Sequence, residues 1–213
     1  MRILAAADIH GALSVYEWLV ESVKHYRADL VVLAGDLFAG DLADGQREQA
    51  PQIIPLLKAA GPCFYLMGND DNTGLEYEDE QVKALHGRQL AWGSYNFVGY
   101  QFTPPFVGTV FVKPEREIEK DLQLVEPLLN SKCVFVTHTP AYGTLDSTFV
   151  GEHVGSPSLA ALLERRPVLA HIHGHIHHSF GHEGNRFNVA AGAQRRAMII
   201  ELPALDWQVI RGD

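Results

Sequence analysis

The chain has 213 residues, 46 % of them hydrophobic, and a formal charge of −9 from 17 basic and 26 acidic side chains. That length and apolar content suit a single α/β domain over residues 1–213 and exclude a disordered chain. The acidic balance argues against nucleic acid as a partner, since phosphate backbones need a basic surface, and no apolar run of about 18 residues is present to span a membrane.

The opening MRILAAADIH is too brief in its apolar part for a secretory leader, and Ile3 to Ala7 reads as a first strand. Ser14 is placed to N-cap a helix through Arg27, with Val15, Trp18, Leu19, Val23 and Tyr26 on one face. Leu30 to Ala34 is apolar throughout, as a strand buried on both faces should be. Gln52 to Ala60 reads as helix despite Pro55, and Phe64 to Met67 as a third strand. This β-α-β-α-β order predicts a sheet with helices packed on it. Further strands are expected at Asn96 to Phe102, Val110 to Val112, Cys133 to Val136 and Val168 to Ile172. Helices are expected at Glu115 to Leu129 and at Ser158 to Arg165, the latter closed by Pro167. The tail (RFNVAAG, AMIIELP, WQVIRG) alternates strands and turns. Cys63 and Cys133 each adjoin an apolar run and read as buried free thiols of a cytoplasmic protein, with a disulfide as the alternative.

Each core strand stops at a polar cluster. These are Asp8-Ile9-His10, Gly35-Asp36, Gly68-Asn69-Asp70-Asp71, Thr137-His138-Thr139-Pro140 and Gly174-His175-Ile176-His177. In open α/β sheets ligands bind beyond the carboxyl ends of strands, so these clusters should converge. Their oxygen and imidazole donors, without thiolate, suit two first-row divalent metals. In Asp8-x-His10 and His175-x-His177 side chains two apart share a face of an extended chain, so both can reach one ion. Gly35, Gly68 and Gly174 each precede a candidate donor, where an abrupt exit from a strand needs positive φ or close backbone approach. Asp8, Asp36 or Asn69 taken singly fits an ordinary cap or turn; the ordered set does not.

The run AHIHGHIHHSFGH from Ala170 to His182 then divides. His175 and His177 are candidate donors, His171 and His173 belong to the strand before them, and His178 and His182 to the rim or surface beyond. His153 sits in a loop that could overhang the site and touch substrate. Asn188 could hydrogen-bond a loop near the metals. Phe149, Tyr142 and Tyr77 could line a pocket for an aromatic group, with core packing as the default.

The series Asp-x-His, Gly-Asp, Gly-Asn-x-Asp, His, Gly-His-x-His, running from residue 8 to residue 177, resembles the signature of calcineurin-like metallophosphoesterases. The stretches THTPAYGTLD, HVGS and GHIHHSFG resemble a small single-domain branch of it. The resemblance implies a four-layer α/β/β/α sandwich with a dinuclear centre at the carboxyl ends of the core strands. Asp8, His10 and His177 would hold one metal and Asn69, His138 and His175 the other, with Asp36 bridging and Asp71 orienting a histidine ring. Manganese is the first expectation, with iron, zinc or nickel as alternatives. The implied activity is hydrolysis of a small phosphomonoester or phosphodiester by a metal-bridging hydroxide. Asp36, Asn69, Asp70 and His10 would lie at the chemistry.

The departure from the pattern is Asp70, where the family's most common form has a histidine beside the leaving group. A carboxylate cannot donate a proton at neutral pH unless its pKa is raised. The substrate could have a good leaving group, His10 or His153 could substitute, or catalysis could be weak. Two rivals stay open: a metal-binding scaffold of this fold without turnover, and a nuclease.

Overall fold

In the strand Leu30–Ala34 all residues are buried. Alternate strand residues point to opposite faces, and here the faces meet different partners. Val31 and Leu33 join a cluster with Val15, Leu19, Ile53 and Leu57 of two helices. Leu30, Val32 and Ala34 join Val134, Val136, Ala170 and Ile172 of other strands. The same division recurs on the far side, where Val98, Cys133 and Phe135 pack against Ile118, Leu122, Leu159 and Leu162. One strand pattern, apolar on both faces, thus forces a layered structure.

The computed structural model describes residues 1–212 except 41, 42, 73, 75 and 109. In chain order the elements are β1 (Arg2–Ala6), α1 (Leu13–Tyr26), β2 (Leu30–Ala34), α2 (Ala43–Ala59), β3 (Cys63–Leu66), β4 (Val82–Ala84), β5 (Gln89–Trp92) and β6 (Tyr95–Tyr100). They continue with α3 (Glu115–Val125), β7 (Cys133–Thr137), α4 (Pro157–Arg165), β8 (Ala170–His173), β9 (Gly181–Glu183), β10 (Arg186–Asn188), β11 (Arg196–Glu201) and β12 (Asp206–Arg211). Two six-stranded sheets result, ordered β12-β11-β1-β2-β3-β4 and β5-β6-β7-β8-β10-β9. Strands β1 to β4 are parallel, as are β6, β7, β8 and β10. Helices α1 and α2 cover the first sheet and α3 and α4 the second, giving the expected α/β/β/α sandwich.

Local differences from the sequence expectation have physical reasons. Helix α1 begins after Ala12, which makes no side-chain cap, so Ser14 lies inside the first turn rather than capping it. Helix α2 starts well before Gln52 and runs through Pro51 and Pro55. Its polar first half is anchored by buried Gln46, whose amide donates to the carbonyls of Gly40 and Asp70 and accepts from Asn72 N–H (2.8 Å). Val110 to Val112 is not a strand: it makes one isolated bridge, Thr103 to Val112, and Phe111 has φ 51°. Helix α4 starts at Pro157, whose fixed φ suits the first helical position, and Ser156 Oγ caps it by accepting from Leu159 N–H (3.1 Å). Cys63 and Cys133 are buried and free, and no helix among the described residues is long and apolar enough to cross a membrane.

Candidate metal centre

Three strands of the first sheet and two of the second deliver the candidate donors to one place. Asp8 and His10 follow β1, Asp36 follows β2, Asn69 follows β3, His138 follows β7, and His175 and His177 follow β8. The connecting loops are tied to one another through their backbones. Ile9 and His10 N–H both donate to Asp36 O (2.9 and 3.0 Å), and Gly174 N–H donates to His138 O (3.1 Å). Side chains tie the two sheets: Asp8 accepts from His175 N–H (3.0 Å), and His138 Nδ1 pairs with Ala34 O (2.7 Å).

Close packing explains two of the glycines. A Cβ on Gly68 would lie 2.2 Å from Asp36 Oδ1 and 2.5 Å from Asp36 N. One on Gly174 would lie 2.6 Å from Asp8 Oδ2. Gly35 meets both needs, with φ 99° and a Cβ position 2.3 Å from His138 Nδ1. Strain falls on the donors themselves: Asp8, His10, Asp36 and His175 all have positive φ, at 57°, 49°, 53° and 72°. L-residues adopt that region at a cost of order 1–3 kcal/mol each, which the interlocked loops must offset.

The donor atoms gather in two main sets. Asp8, His10 and His177 present atoms all within 4.8 Å of one another, and so do Asp36, His138 and His175. His177 Nε2 lies 3.2 Å from Asp8 Oδ1, and His138 Nε2 lies 3.4 Å from Asp36 Oδ2 and 2.9 Å from Asn69 Oδ1. Asn69 Nδ2 donates to Asp70 Oδ1 (2.8 Å), which leaves its oxygen turned toward His138. Asp8, Asp36, Asn69, His138 and His175 are buried, whereas His10 and His177 reach the surface.

The ionisable donors shift in opposite directions. His175 is pushed down to about 4, first by burial and then by the charge of His138. Its Nε2 is buried with no hydrogen-bond partner. Burial opposes charge on both Asp36 and His138, but their mutual attraction outweighs it, holding Asp36 well below and His138 well above the usual range. His177 is raised by its hydrogen bond to Asp8. Carboxylate, amide-oxygen and imidazole donors suit a divalent first-row metal, which would displace the protons that Asp36 and Asp8 favour on His138 and His177.

Asp71 does something other than orient a histidine. Its buried carboxylate accepts from Leu37, Phe38 and Gly68 N–H at 2.8 to 2.9 Å, pinning the loop after β2 to the loop after β3. Burial, then repulsion from Asp36, raises it to about 7 against those three N–H groups. The ring of His138 is set by a backbone carbonyl instead.

A family model for calcineurin-like phosphoesterases matches residues 1–179. The chain belongs to that family. Calcineurin-like phosphoesterases are metal-dependent hydrolases of phosphate esters, and the clustered Asp and His groups can bind metal. The protein TT1561 of Thermus thermophilus is similar in structure, with TM-score 0.75, 20 % identity, and 99 % of this chain and 98 % of that one covered. A dimetal phosphatase from Danio rerio gives 0.60 at 11 % identity, covering 99 % and 98 %. An archaeal phosphodiesterase gives 0.55 at 13 %, covering 99 % of each chain. Likeness at these identities establishes the fold. No curated protein matches the chain by sequence.

In this phosphoesterase a cleft of about 280 Å³ opens over the donors, lined by His10, Asp36, Asn69, Asp70, His175 and His177 and by loop residues that include Phe106, Val107, Thr148 and Phe149. A wider groove of about 570 Å³ between Arg2, Arg27 and Trp207 holds none of the donors. Asp70 lies at the cleft with Oδ2 3.8 Å from His10 Nδ1, its pKa raised by burial and by Asp36.

His153 does not line the cleft; its Nδ1 sits 2.6 Å from Asp146 and its ring against Tyr142. Tyr77 belongs to the first-sheet core, and of the three aromatics considered only Phe149 reaches the cleft. His178 is at the rim, and His182 lies tilted against Trp207, with ring centroids 4.2 Å apart. His171 and His173 are buried and stacked on each other, with His171 Nε2 paired to Thr137 Oγ1 (2.8 Å). Asn188 braces the loop that carries His177, donating to Ile176 O (2.9 Å) and Leu145 O (3.0 Å). Phe106 and Val107 were not singled out by the sequence reading. The available signal is the apolar Phe-Val-Gly tip that recurs at 106–108 and 149–151 in stretches without helix or strand periodicity.

Proposed function

We propose that this calcineurin-like phosphoesterase hydrolyses a small phosphomonoester or phosphodiester, using two divalent ions held where the strand ends converge. Asp8, His10 and His177 would hold one ion, Asn69, His138 and His175 the other, with Asp36 shared. The observation that carries the reading is the pair of donor sets around Asp8 and Asp36, one of which includes the buried, partnerless Nε2 of His175. The ions would supply Lewis acidity, lowering the pKa of an attacking water and offsetting charge on the phosphoryl oxygens.

The chain's own residues prepare that chemistry. With Nδ1 of His138 on the Ala34 carbonyl, its Nε2 is the atom turned to the site. Asn69 adds a neutral oxygen, which keeps the centre less negative than a third carboxylate would. Asp36 Oδ1 accepts from Asp70 N–H (2.9 Å), so the loop after β3 is held against the shared carboxylate. Asp70 and His10 line the cleft beside the phosphate, and a substrate with a good leaving group needs no proton from either.

Manganese is the first choice of metal, because oxygen and imidazole donors suit it; iron, zinc and nickel compete for the same donor set. Purified protein should carry close to two ions per chain by elemental analysis and hydrolyse an aryl phosphate or aryl phosphodiester, fastest with manganese. Asp36→Asn should lose both the ions and turnover, the latter by about 10³-fold. Metal-loaded protein inert on a broad panel of esters would overturn the reading in favour of a scaffold. Preference for polynucleotides over small esters would overturn it in favour of a nuclease.

A further inference from the structure

Asn69 is the one amide among the candidate donors, and an amide has a wrong end. A carboxylate offers two equivalent oxygens. An amide ligates through its oxygen alone, its NH2 being a donor of hydrogen bonds. The two ends have nearly the same shape, and a half-turn of the side chain swaps them. Packing confines Asn69 without choosing between the ends. The residue is buried, and the loop between β6 and α3 lies on it: Val110 N–H donates to Asn69 O (3.2 Å), and a Cβ on Gly108 would fall 2.3 Å from Asn69 Nδ2. What remains to be set is the direction of the amide.

Asp70 is the neighbour that distinguishes the ends. Its Oδ1 accepts from Asn69 Nδ2 (2.8 Å), while Asn69 Oδ1 lies 2.9 Å from Nε2 of His138, a fellow donor to the same candidate ion. An ionised carboxylate only accepts, so it holds the NH2 end and turns the oxygen away. The other oxygen of Asp70 is 3.8 Å from His10 Nδ1, too far for a hydrogen bond.

The aim of Asp70 is fixed from behind. Its N–H donates to Asp36 Oδ1 (2.9 Å). Its carbonyl accepts from the amide of buried Gln46 in α2, which is held in turn by Asn72 N–H (2.8 Å). One peptide group of Asp70 is thus tied to the shared carboxylate and the other to a helix of the outer layer. A short side chain passes that constraint on to Asn69.

We propose that Asp70 is a positioning residue for the second candidate ion, holding the NH2 of Asn69 so that the amide oxygen meets the metal. The residue at which the chain departs from the common pattern thereby gains a use that needs no proton transfer. The proposal rests on the two-ion reading above and deepens it by naming what orients one of the donors.

The test is a manganese titration of metal-free full-length protein, with free ion read from its paramagnetic resonance signal, so that both dissociation constants come without substrate. Asp70→Asn and Asp70→Leu remove the same charge and have similar shapes, but only the asparagine variant keeps an oxygen that can accept from Asn69. One ion should bind about ten-fold more weakly in Asp70→Leu than in Asp70→Asn, and the other equally in both. In an Asn69→Asp background, where the donor's oxygens are equivalent and need no orienting, the gap between the two variants should close. Equal affinities in the two variants of the parent assign the effect of Asp70 to its charge and overturn the proposal. A gap that persists in Asn69→Asp shows Asp70 to be a ligand itself, and a gap of the same size for both ions shows a loosened loop; either overturns it too. A parent that takes up fewer than two ions overturns the two-ion reading instead. The expected pattern in a protein that cleaves no ester overturns the phosphoesterase reading and leaves the role of Asp70 supported.

Discussion

Where the cleft is deepest, the carboxylates are held by backbone. Asp8 takes an N–H from the opposite sheet, Asp36 takes one from the next loop, and Asp71 takes three. At the rim, Phe149 stands mostly in water and Gly151 has nothing within 4 Å of where a Cβ would be. The floor commits backbone strain and buried charge to fixing a few atoms, while the rim is free to vary. The first region carries the candidate donors, and the second carries exposed apolar side chains on loops.

That contrast can be broken most directly at Gly68. Gly68→Ala drives a methyl group into Asp36, and turnover should fall about 100-fold with loss of metal loading, since small displacements near reacting groups are that costly. Retention of both would show that the floor can give way. Next is Asp71→Ala, which leaves three buried N–H groups without an acceptor. It should cost about 3 kcal/mol in urea unfolding and about ten-fold in turnover, with Asp71→Asn milder on both. An unchanged urea midpoint would remove Asp71 from the account.

A smaller effect concerns His171, held well below its ordinary pKa by burial and then by His173 and Arg186. As pH falls below about 6.5 the unfolded chain takes up a proton that folded His171 refuses, so stability should drop by up to ~1.4 kcal/mol per pH unit from this group. His173, lowered to about 4, acts in the same sense, and Asp71, raised to about 7, in the opposite one; both are present in either protein. Unfolding measured across that range should therefore be less pH-dependent in His171→Gln than in the parent, and equal slopes would refute the assignment. Least affected should be Gly151→Ala at the rim, where only φ 84° is at stake: about 1 kcal/mol of stability, with turnover kept.

Much of the floor was legible in the sequence because burial dictated it. Strands such as Leu30–Ala34, apolar on both faces, must lie between layers, and a polar residue at the end of each is conspicuous there. The fold followed from the same strands. Helix α2 was only half visible, because its first half is polar and is held by Gln46 reaching across to other loops, a tertiary effect that periodicity does not carry. The edge strands β4, β5 and β9 are three or four residues long and partly exposed, too short for alternation to register. Asp71 was seen as functional, but its partners were missed, because backbone N–H groups leave no mark in a sequence. At the rim, Phe149 and His178 were legible and Phe106 was not: it obeys no periodicity and declares itself only by being exposed.

The pairing of His175 N–H with Asp8 spans 167 residues of chain. At roughly 5–20 residues per second of synthesis, Asp8 leaves the ribosome about 10–30 s before its partner. No early fragment holds a complete set of donors, because each candidate ion draws on both sheets. A complete set can therefore form only once β8 has been made, and the first sheet closes later still, when β11 pairs with β1.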